Sequence, residues 1–206
     1  MWRKRLAAWL IDFGFMQCAY DECCYVLNAT TGTMLLGVFV DDLVVASSCT
    51  KLKNKFAEEM CKEFKVDDRG ELKWALGMLV TRDLRAGTLT ISCEARIEAL
   101  VERFLQGGSH GKTYATPADK TVLDLTPEPV TKDELKASRR DVQKQETRAL
   151  IGALVFIASA LRVDVAQAVF RVARHMANPS EAAHKAALRV LLYLNATKKM
   201  GITYGA

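Results

Sequence analysis

Residues 34–46 read MLLGVFVDDLVVA, an apolar run that is interrupted by two adjacent carboxylates, Asp41 and Asp42. Runs of aliphatic and β-branched residues are typical of buried strands. Unpaired charges are strongly disfavoured in a dry core, so we expect the two acids at a tight turn between two strands. Neighbouring carboxylates also repel each other unless a cation neutralises them. The pattern predicts a hairpin whose tip either binds a hard divalent ion such as Mg2+ or is a plain Asp-Asp turn.

The composition is that of a globular protein, with half of the 206 residues hydrophobic and 26% charged. The net charge of +5 is unevenly distributed along the chain. Residues 1–93 contain 12 basic and 12 acidic side chains, whereas residues 139–206 contain 11 basic and 4 acidic ones. A basic C-terminal third suits a polyanionic partner, although a solvated helical surface would explain it as well.

Six cysteines show no spacing suited to zinc, and we interpret them as reduced side chains of an intracellular protein, cytoplasmic or nuclear. The apolar run at 34–46 is too short to span a membrane, which takes roughly 20 residues. A basic start followed by apolar residues faintly suggests a signal peptide, but Asp12 interrupts the stretch and no cleavage site follows. We therefore predict no signal peptide, no transmembrane segment and no membrane partner.

Periodicity predicts an α+β fold. A helix ends at Gly14, and two strands follow around a turn at 28–32. After the Asp-Asp tip, a third strand leads to a helix with Ser48 or Thr50 as its N-cap. Further along, we predict a strand over 72–82 pairing with 88–92, a helix capped by Ser92, a tether that starts at Gly107-Gly108-Ser109, and helices from Glu146 onward.

The order of these elements is similar to that of the reverse transcriptase of copia-type retrotransposons, from the middle of the palm onward. Phe39-Val40-Asp41-Asp42 resembles that family's Tyr-Val-Asp-Asp motif, and Gly70 to Met78 resembles its Gly-x-Leu-x-x-Phe-Leu-Gly-Ile segment. Other segments in register are Thr116-Pro117, Ile151-Gly152-Ala153-Leu154, Arg162-Val163-Asp164-Val165, Asn178-Pro179, His184 and Arg189 to Leu194. The chain departs from the pattern at Phe39, which replaces a tyrosine, and in lacking the proline usual between Arg162 and Asp164.

The resemblance implies a domain organisation. Residues 1–70 correspond to a partial palm with the Asp-Asp hairpin, and residues 71–105 to the primer-grip hairpin and thumb helix. Residues 106–145 correspond to a tether, and residues 146–206 to the helical connection region. The family's fingers, the palm strand with the first metal-binding aspartate, and the RNase H domain have no counterpart in these 206 residues, so we expect other parts of a polyprotein to supply them.

The resemblance also implies a site for two-metal nucleotidyl transfer with Mg2+ as the cofactor. Asp41 is the expected direct ligand, and Asp42 completes or supports the metal site. Asp21 resembles a non-catalytic family position, and Asp67-Asp68 is more simply a turn. The expected partners are an RNA or DNA template–primer and deoxynucleoside triphosphates.

Other contacts with nucleic acid are predicted at two places. Leu76, Gly77 and Met78 would shape the primer-grip hairpin, or be plain hairpin residues. The predicted phosphate contacts of the basic region, each of which a solvated surface would also explain, are Arg171, Arg174, Lys185 and Arg189.

Two functions from different classes remain open. The chain is predicted to be a fragment of a retrotransposon RNA-directed DNA polymerase that is inactive alone, because the first carboxylate strand is absent. The alternative is a non-catalytic nucleic-acid-binding or structural remnant of a retroelement. An unrelated metal-dependent hydrolase would need a further acid cluster or a nucleophile, and the sequence offers neither.

Overall fold

The computed structural model describes residues 2–105, 112–127 and 129–205, so the Gly107-Gly108-Ser109 start of the predicted tether lies outside the described residues. The described part contains two antiparallel four-stranded sheets and eight α-helices, which confirms the α+β class. The chain divides into two compact units, Met1–Leu72 and Lys73–Ala206. No α-helix among the described residues is long and apolar enough to cross a membrane.

The first unit is an antiparallel sheet, in the order β1-β2-β3-β4, with two helices. Its elements are α1 (Trp2–Phe13), β1 (Met16–Gln17), β2 (Cys24–Ala29), β3 (Gly32–Phe39), β4 (Asp42–Ser47) and α2 (Thr50–Glu63). Gly14 ends α1 as predicted. Its φ of 113° is one that residues other than glycine rarely adopt. The structure places the N-cap of α2 at Cys49 rather than Ser48 or Thr50, because the Ser48 hydroxyl accepts a hydrogen bond from the Thr33 amide at 2.9 Å.

Alternation along the strands gives this sheet one buried and one open face. The buried face packs against apolar side chains of α1 and α2, and aromatic rings fill much of the space between them. The buried core consists of Leu6, Leu10, Phe15, Tyr25, Leu27, Met34, Leu36, Phe56, Met60 and Phe64. No polar or charged side chain is buried in the described part of this unit.

The second unit combines a sheet, in the order β5-β6-β7-β8, with six helices. Its elements are β5 (Trp74–Ala75), β6 (Met78–Asp83), β7 (Thr88–Ser92), α3 (Glu94–Phe104), α4 (Lys120–Leu123), α5 (Lys132–Arg140), α6 (Val142–Ala160), a 3-10 turn (Val163–Val165), α7 (Ala166–Ala173), α8 (Glu181–Ala196) and β8 (Gly201–Gly205). One core joins α3 and α4 to the long helices α6, α7 and α8. The segment predicted as a tether thus contains helices, and α4 shares the core of the unit through Val122.

Two local predictions in this unit are wrong, and one strand was not predicted. The strand predicted over 72–82 is broken by a tight turn at Leu76-Gly77, where φ is 54° and 77°. The N-cap of α3 is Cys93, not Ser92. Strand β8 was not predicted at all, yet it pairs with the whole of β7, with Ile91 opposite Ile202.

Candidate functional site

The predicted Asp-Asp hairpin is present. Strand β3 pairs with β4 in a register that sets Phe39 opposite Asp42, so Val40 and Asp41 alone form the turn. Val40 has a φ of 53°, which fits the first position of a type II′ turn. Glycine usually occupies that position, and a β-branched residue there is strained. The turn is two residues long because the pairing of the strands continues as far as Phe39 and Asp42.

The register also determines which side of the sheet Asp42 lies on. Residues that pair across strands share a face, and the faces alternate along each strand. Leu36, fully buried, and Leu43 belong to the core face. Phe39 and Asp42 belong to the opposite face, where Phe39 is 54% exposed. The Asp42 carboxylate therefore stands on the open face of the sheet, next to an exposed aromatic ring.

Helix α1 supports the turn from the side. The Trp2 indole Nε1 donates a hydrogen bond of 3.4 Å to the carbonyl oxygen of Val40. The Trp2 ring packs edge-on against Phe64, with 5.2 Å between the ring centroids. Trp2 thereby joins the hairpin tip to the residue that ends α2. This hydrogen bond depends on tertiary packing, because it joins residues 38 positions apart.

The donor set at the tip suits a hard cation only in part. Asp41 and Asp42 are both exposed, and carboxylate oxygens are the donors that Mg2+ takes. Nowhere in residues 2–105, 112–127 and 129–205 do three or more His, Cys, Asp or Glu side chains come together as a metal site. The hairpin thus offers two adjacent carboxylates, and a complete site needs further oxygen ligands.

Other acids in this unit stabilise turns. Asp21 accepts the Cys23 amide hydrogen at 2.8 Å, and its second oxygen accepts a hydrogen bond from the Cys24 thiol at 3.6 Å. Asp68 accepts the amide hydrogen of Gly70 at 2.8 Å. These bonds hold the loop between β1 and β2 and the turn after α2.

Leu76, Gly77 and Met78 lie at the second tight hairpin of the chain. Ala75 pairs with Met78, so Leu76 and Gly77 form a two-residue turn with positive φ at both positions, the pattern of a type I′ turn. Leu76 is 47% exposed. Next to the turn lies Arg96 of α3, whose guanidinium would be 3.4 Å from a Cβ added to Gly77. No sequence pattern singled out Arg96.

The four basic residues predicted to contact phosphate have different surroundings. Arg174 is exposed and Arg171 half-buried, whereas Lys185 forms an ion pair of 2.6 Å with Glu181. The Arg189 side chain is only 16% exposed and pairs with Asp119 at 2.9 Å. Its guanidinium also stacks over the ring of Tyr114, 4.0 Å from the centroid. Arg189 therefore attaches the segment before α4 to α8.

In the Arg162-Val163-Asp164 segment, the buried Arg162 is the centre of a hydrogen-bond network that includes the more exposed Asp164. Arg162, 2% exposed, donates two hydrogen bonds to Asp164, at 2.8 and 2.7 Å. The Tyr193 hydroxyl donates to the same carboxylate at 3.0 Å, and Arg162 also donates to the Thr197 carbonyl at 3.0 Å. The hydrogen bonds from Arg162 hold the pKa of Asp164 below its ordinary value. This network joins the 3-10 turn to the end of α8. A role in stability therefore accounts for Arg162 and Asp164 in this motif.

Comparisons with known proteins identify the family of this chain. The family described as "Reverse transcriptase (RNA-dependent DNA polymerase)" matches residues 1–119. The chain is 25% identical over 206 residues to the retrovirus-related Pol polyprotein from transposon TNT 1-94 of Nicotiana tabacum, covering 99% of this chain and 15% of that protein. It is 27% identical over 201 residues to the corresponding polyprotein of transposon RE1 from Arabidopsis thaliana, covering 98% and 13%.

A third relative is the putative transposon Ty5-1 protein of Saccharomyces cerevisiae, 24% identical over 211 residues, with 99% of this chain and 62% of that protein covered. The chain thus spans less than two thirds of each of these three relatives. No solved structure matches it. Because the family match covers more than half of the residues and includes the Asp-Asp hairpin, this chain belongs to the reverse transcriptase (RNA-dependent DNA polymerase) family, as a portion of the kind found in copia-type retrotransposon Pol polyproteins.

Proposed function

We propose that this chain supplies the Asp-Asp arm of a polymerase active site, together with surfaces that bind the template–primer. In the intact protein the reaction is two-metal nucleotidyl transfer from deoxynucleoside triphosphates to a primer. The observation that supports this most directly is the tight hairpin whose tip exposes Asp41 and Asp42, in a member of the reverse transcriptase family. We place the reaction inside the cell, in the cytoplasm or the nucleus.

The assignment of segments follows the family. Residues 1–70 are proposed as a partial palm and residues 71–105 as the primer-grip hairpin and thumb helix. Residues 106–145 link these to the connection region, 146–206. The chain spans only 13–15% of the plant polyproteins, and we propose that other segments of such a polyprotein supply the fingers, the first carboxylate strand and the RNase H domain.

Each proposed site residue has a distinct task. Asp41 holds Mg2+ directly and Asp42 completes the carboxylate pair, with both side chains exposed at the tip. Bound metal would lower the pKa of the primer 3′-hydroxyl and stabilise the leaving pyrophosphate. Trp2 keeps the turn in place through the Val40 carbonyl. Leu76, Gly77 and Met78 position the primer strand.

Sequence-independent contacts with phosphate are proposed for the basic helices. Arg171 and Arg174 on and after α7 are the best placed, since no carboxylate of the described residues pairs with either. Lys185 and Arg189 would have to exchange Glu181 and Asp119 for phosphate oxygens. Each phosphate that is neutralised contributes a salt-dependent increment to binding.

Primer extension tests the function. The purified 206-residue chain, given an RNA template, a DNA primer, all four deoxynucleoside triphosphates and Mg2+, is expected to add no nucleotide. The reason is that no third His, Cys, Asp or Glu side chain joins the two acids at the tip within the described residues. Extension that disappears in Asp41→Asn would contradict the predicted inactivity and confirm the role of Asp41.

Metal binding tests the carboxylate pair directly. Mn2+, a paramagnetic substitute for Mg2+, is expected to broaden the NMR amide signals of residues 39–42 and to stop doing so in Asp41→Asn/Asp42→Asn. Asp67 and Asp68 give a matched control, because they are a second exposed Asp-Asp pair in the same unit. Equal broadening at both pairs would mean non-specific attraction of the cation and would remove the support for a metal site at the hairpin.

A non-catalytic nucleic-acid-binding remnant is the second candidate. It is favoured by the incomplete ligand set and by the excess of basic residues after position 139. In that case Asp41→Asn leaves binding to an RNA–DNA hybrid unchanged, whereas Arg171→Gln/Arg174→Gln weakens it with a smaller salt slope. The first candidate additionally requires that Mn2+ binding at the hairpin be lost when Asp41 and Asp42 are replaced by asparagine.

A further inference from the structure

Arg96 is a half-buried cation that lies beside the second hairpin, at the Leu76-Gly77 turn. It is the third residue of α3, and its guanidinium carbon is 4.0 Å from the centroid of the Phe156 ring on α6. An arginine stacked on an aromatic ring is held in a limited set of orientations and keeps its N–H groups available at the edge. The side chain is thus positioned before any ligand arrives.

Among the described residues, Arg96 has no partner in an ion pair. Glu94 and Glu98 flank it on α3, but both pair with Lys198, at 3.8 Å for Glu94 and through a direct hydrogen bond for Glu98. Over the described residues, no hydrogen bond or ion pair involves the Arg96 side chain, and the guanidinium packs on the ring of Phe156. Lys198 therefore offsets one of these two negative charges, and neither glutamate forms an ion pair with Arg96 among the described residues.

The surroundings of Arg96 suit a polynucleotide better than a small anion. Its Nη1 atom lies beside the Leu76-Gly77 turn, 3.4 Å from where a Cβ on Gly77 would be. Leu76 is 47% exposed and Phe156 36% exposed. The cation is therefore bordered by two apolar side chains on which a sugar or a base can pack, as in sites that bind a strand without reading its sequence.

We propose that Arg96, supported by Phe156, is a phosphate-contact residue for the nucleic-acid strand bound at the β5–β6 hairpin. The planar guanidinium would donate two parallel hydrogen bonds to one phosphate group. Phe156 is a positioning residue that acts through Arg96. This proposal rests on the proposed function, because it assumes that the hairpin lies along the path of a template–primer.

Salt-dependent binding of the full chain to a fluorescein-labelled RNA–DNA hybrid tests the assignment. Arg96→Gln is expected to weaken binding about five- to tenfold at low salt and to reduce the slope of log K against log salt by about 1. Arg96→Lys keeps the charge but loses the two parallel N–H donors of the guanidinium. The salt slope should therefore stay the same, and the affinity should fall by a smaller factor than in Arg96→Gln. Phe156→Ala is expected to weaken binding and Phe156→Tyr to restore it, because either aromatic ring can support the guanidinium.

Arg85 is the matched control, an exposed arginine in the turn between β6 and β7, at the other end of β6. Arg85→Gln is expected to leave affinity and slope unchanged. Equal behaviour of Arg96→Gln and Arg85→Gln, with the wild type binding, would overturn the role of Arg96 and leave the proposed function standing. Failure of the wild-type chain to bind the hybrid even at low salt would count against both. Circular dichroism of each variant identifies loss of folding, in which case Arg96→Lys decides.

Discussion

Hairpin β3–β4 turns through Val40 and Asp41, and hairpin β5–β6 turns through Leu76 and Gly77. Both turns are two residues long, and both hold an exposed apolar residue at nearly the same positive φ, 53° for Val40 and 54° for Leu76. Their chemistry is opposite: the first presents two carboxylates, whereas the second lies beside the unpaired cation of Arg96. Two turns of equal length but different type thus present opposite charges, and we propose a metal ion at the first tip and a phosphate at the second.

The units behind the hairpins also differ. In the described part of Met1–Leu72, the core contains no buried polar or charged side chain. The second unit buries Ser92, Ser138, Thr147, Arg162 and His175. We therefore expect the stability of the first unit to depend mainly on aromatic packing. The stability of the second unit should also depend on a buried charge and on pH.

The largest expected effect follows from removing Arg162. Arg162→Met should lower the free energy of unfolding of the second unit by roughly 3 kcal/mol, because the hydrogen bonds from the buried guanidinium to Asp164 and Thr197 are lost. The NMR signals of the first unit, followed through a urea titration, should keep their midpoint. Arg174→Met, at an exposed position of the same unit, is the control, with an expected change within about 0.5 kcal/mol. Equal losses in both units would show that they do not unfold separately.

Trp2 gives the next largest effect, this time in the first unit. Trp2→Ala removes the hydrogen bond to Val40 and the packing on Phe64, so a loss of about 2 kcal/mol is expected for the first unit. Trp74 at the second hairpin is 54% exposed, and Trp74→Ala should cost less than about 1 kcal/mol. Urea midpoints of the two variants measure the difference. Similar losses would contradict the view that only the first turn is supported by an indole ring.

Mild acid should destabilise the second unit but not the first, with a smaller effect than the two substitutions above. Burial lowers the pKa of His175, with the charge of Arg174 as a second cause, so the folded state holds the proton less tightly than the unfolded state. The second unit is therefore most stable above the unfolded-state pKa of about 6.5, where His175 is neutral in both states. Its free energy of unfolding decreases as the pH falls toward the lower pKa of the folded state. The urea midpoint of the second unit should therefore fall between pH 7.5 and 5.5, and His175→Leu should flatten this dependence.

The first unit serves as the internal control for this measurement, because residues 1–72 contain no histidine. Its midpoint is expected to stay constant over the same pH range. A parallel fall in both units, or an unchanged slope in His175→Leu, would exclude His175 as the source of the dependence.

The smallest effect concerns the turns themselves. Val40→Gly and Leu76→Gly should each stabilise their unit by less than about 1 kcal/mol, since relief of a positive φ outweighs the entropy that glycine loses on folding. The gain should be greater for Val40, because β-branched residues fit this conformation worst. Thermal unfolding of both variants measures it. A loss of stability at either position would mean that its side chain packs against something other than solvent.

The sequence allowed the prediction of features that depend on near neighbours. The helix ending at Gly14 and the Asp-Asp turn follow from periodicity and from the cost of burying charge. The α+β class follows from the same patterns. In each case the residues that decide the structure lie within one element or one turn.

Features that depend on distant residues could not be predicted. Leu76 is not a typical turn residue, so the break between β5 and β6 was hidden in an apolar run. The support of Val40 by Trp2 joins residues 38 positions apart. Arg96 and Phe156 are 60 positions apart, and neither belongs to a recognisable motif. The metal and phosphate roles of the two tips remain predictions.

Strand β8 has a consequence for the time at which each unit can fold. Thr203 shares a hydrogen bond with Thr90, which precedes it by 113 positions, whereas every strand of the first sheet lies before residue 48. On a ribosome, the first unit has all its strands long before the second sheet can be closed. Until residues 201–205 are synthesised, the outer edge of β7 has unpaired amide and carbonyl groups that another strand could bind. We expect chains released before Gly201 to aggregate through that edge.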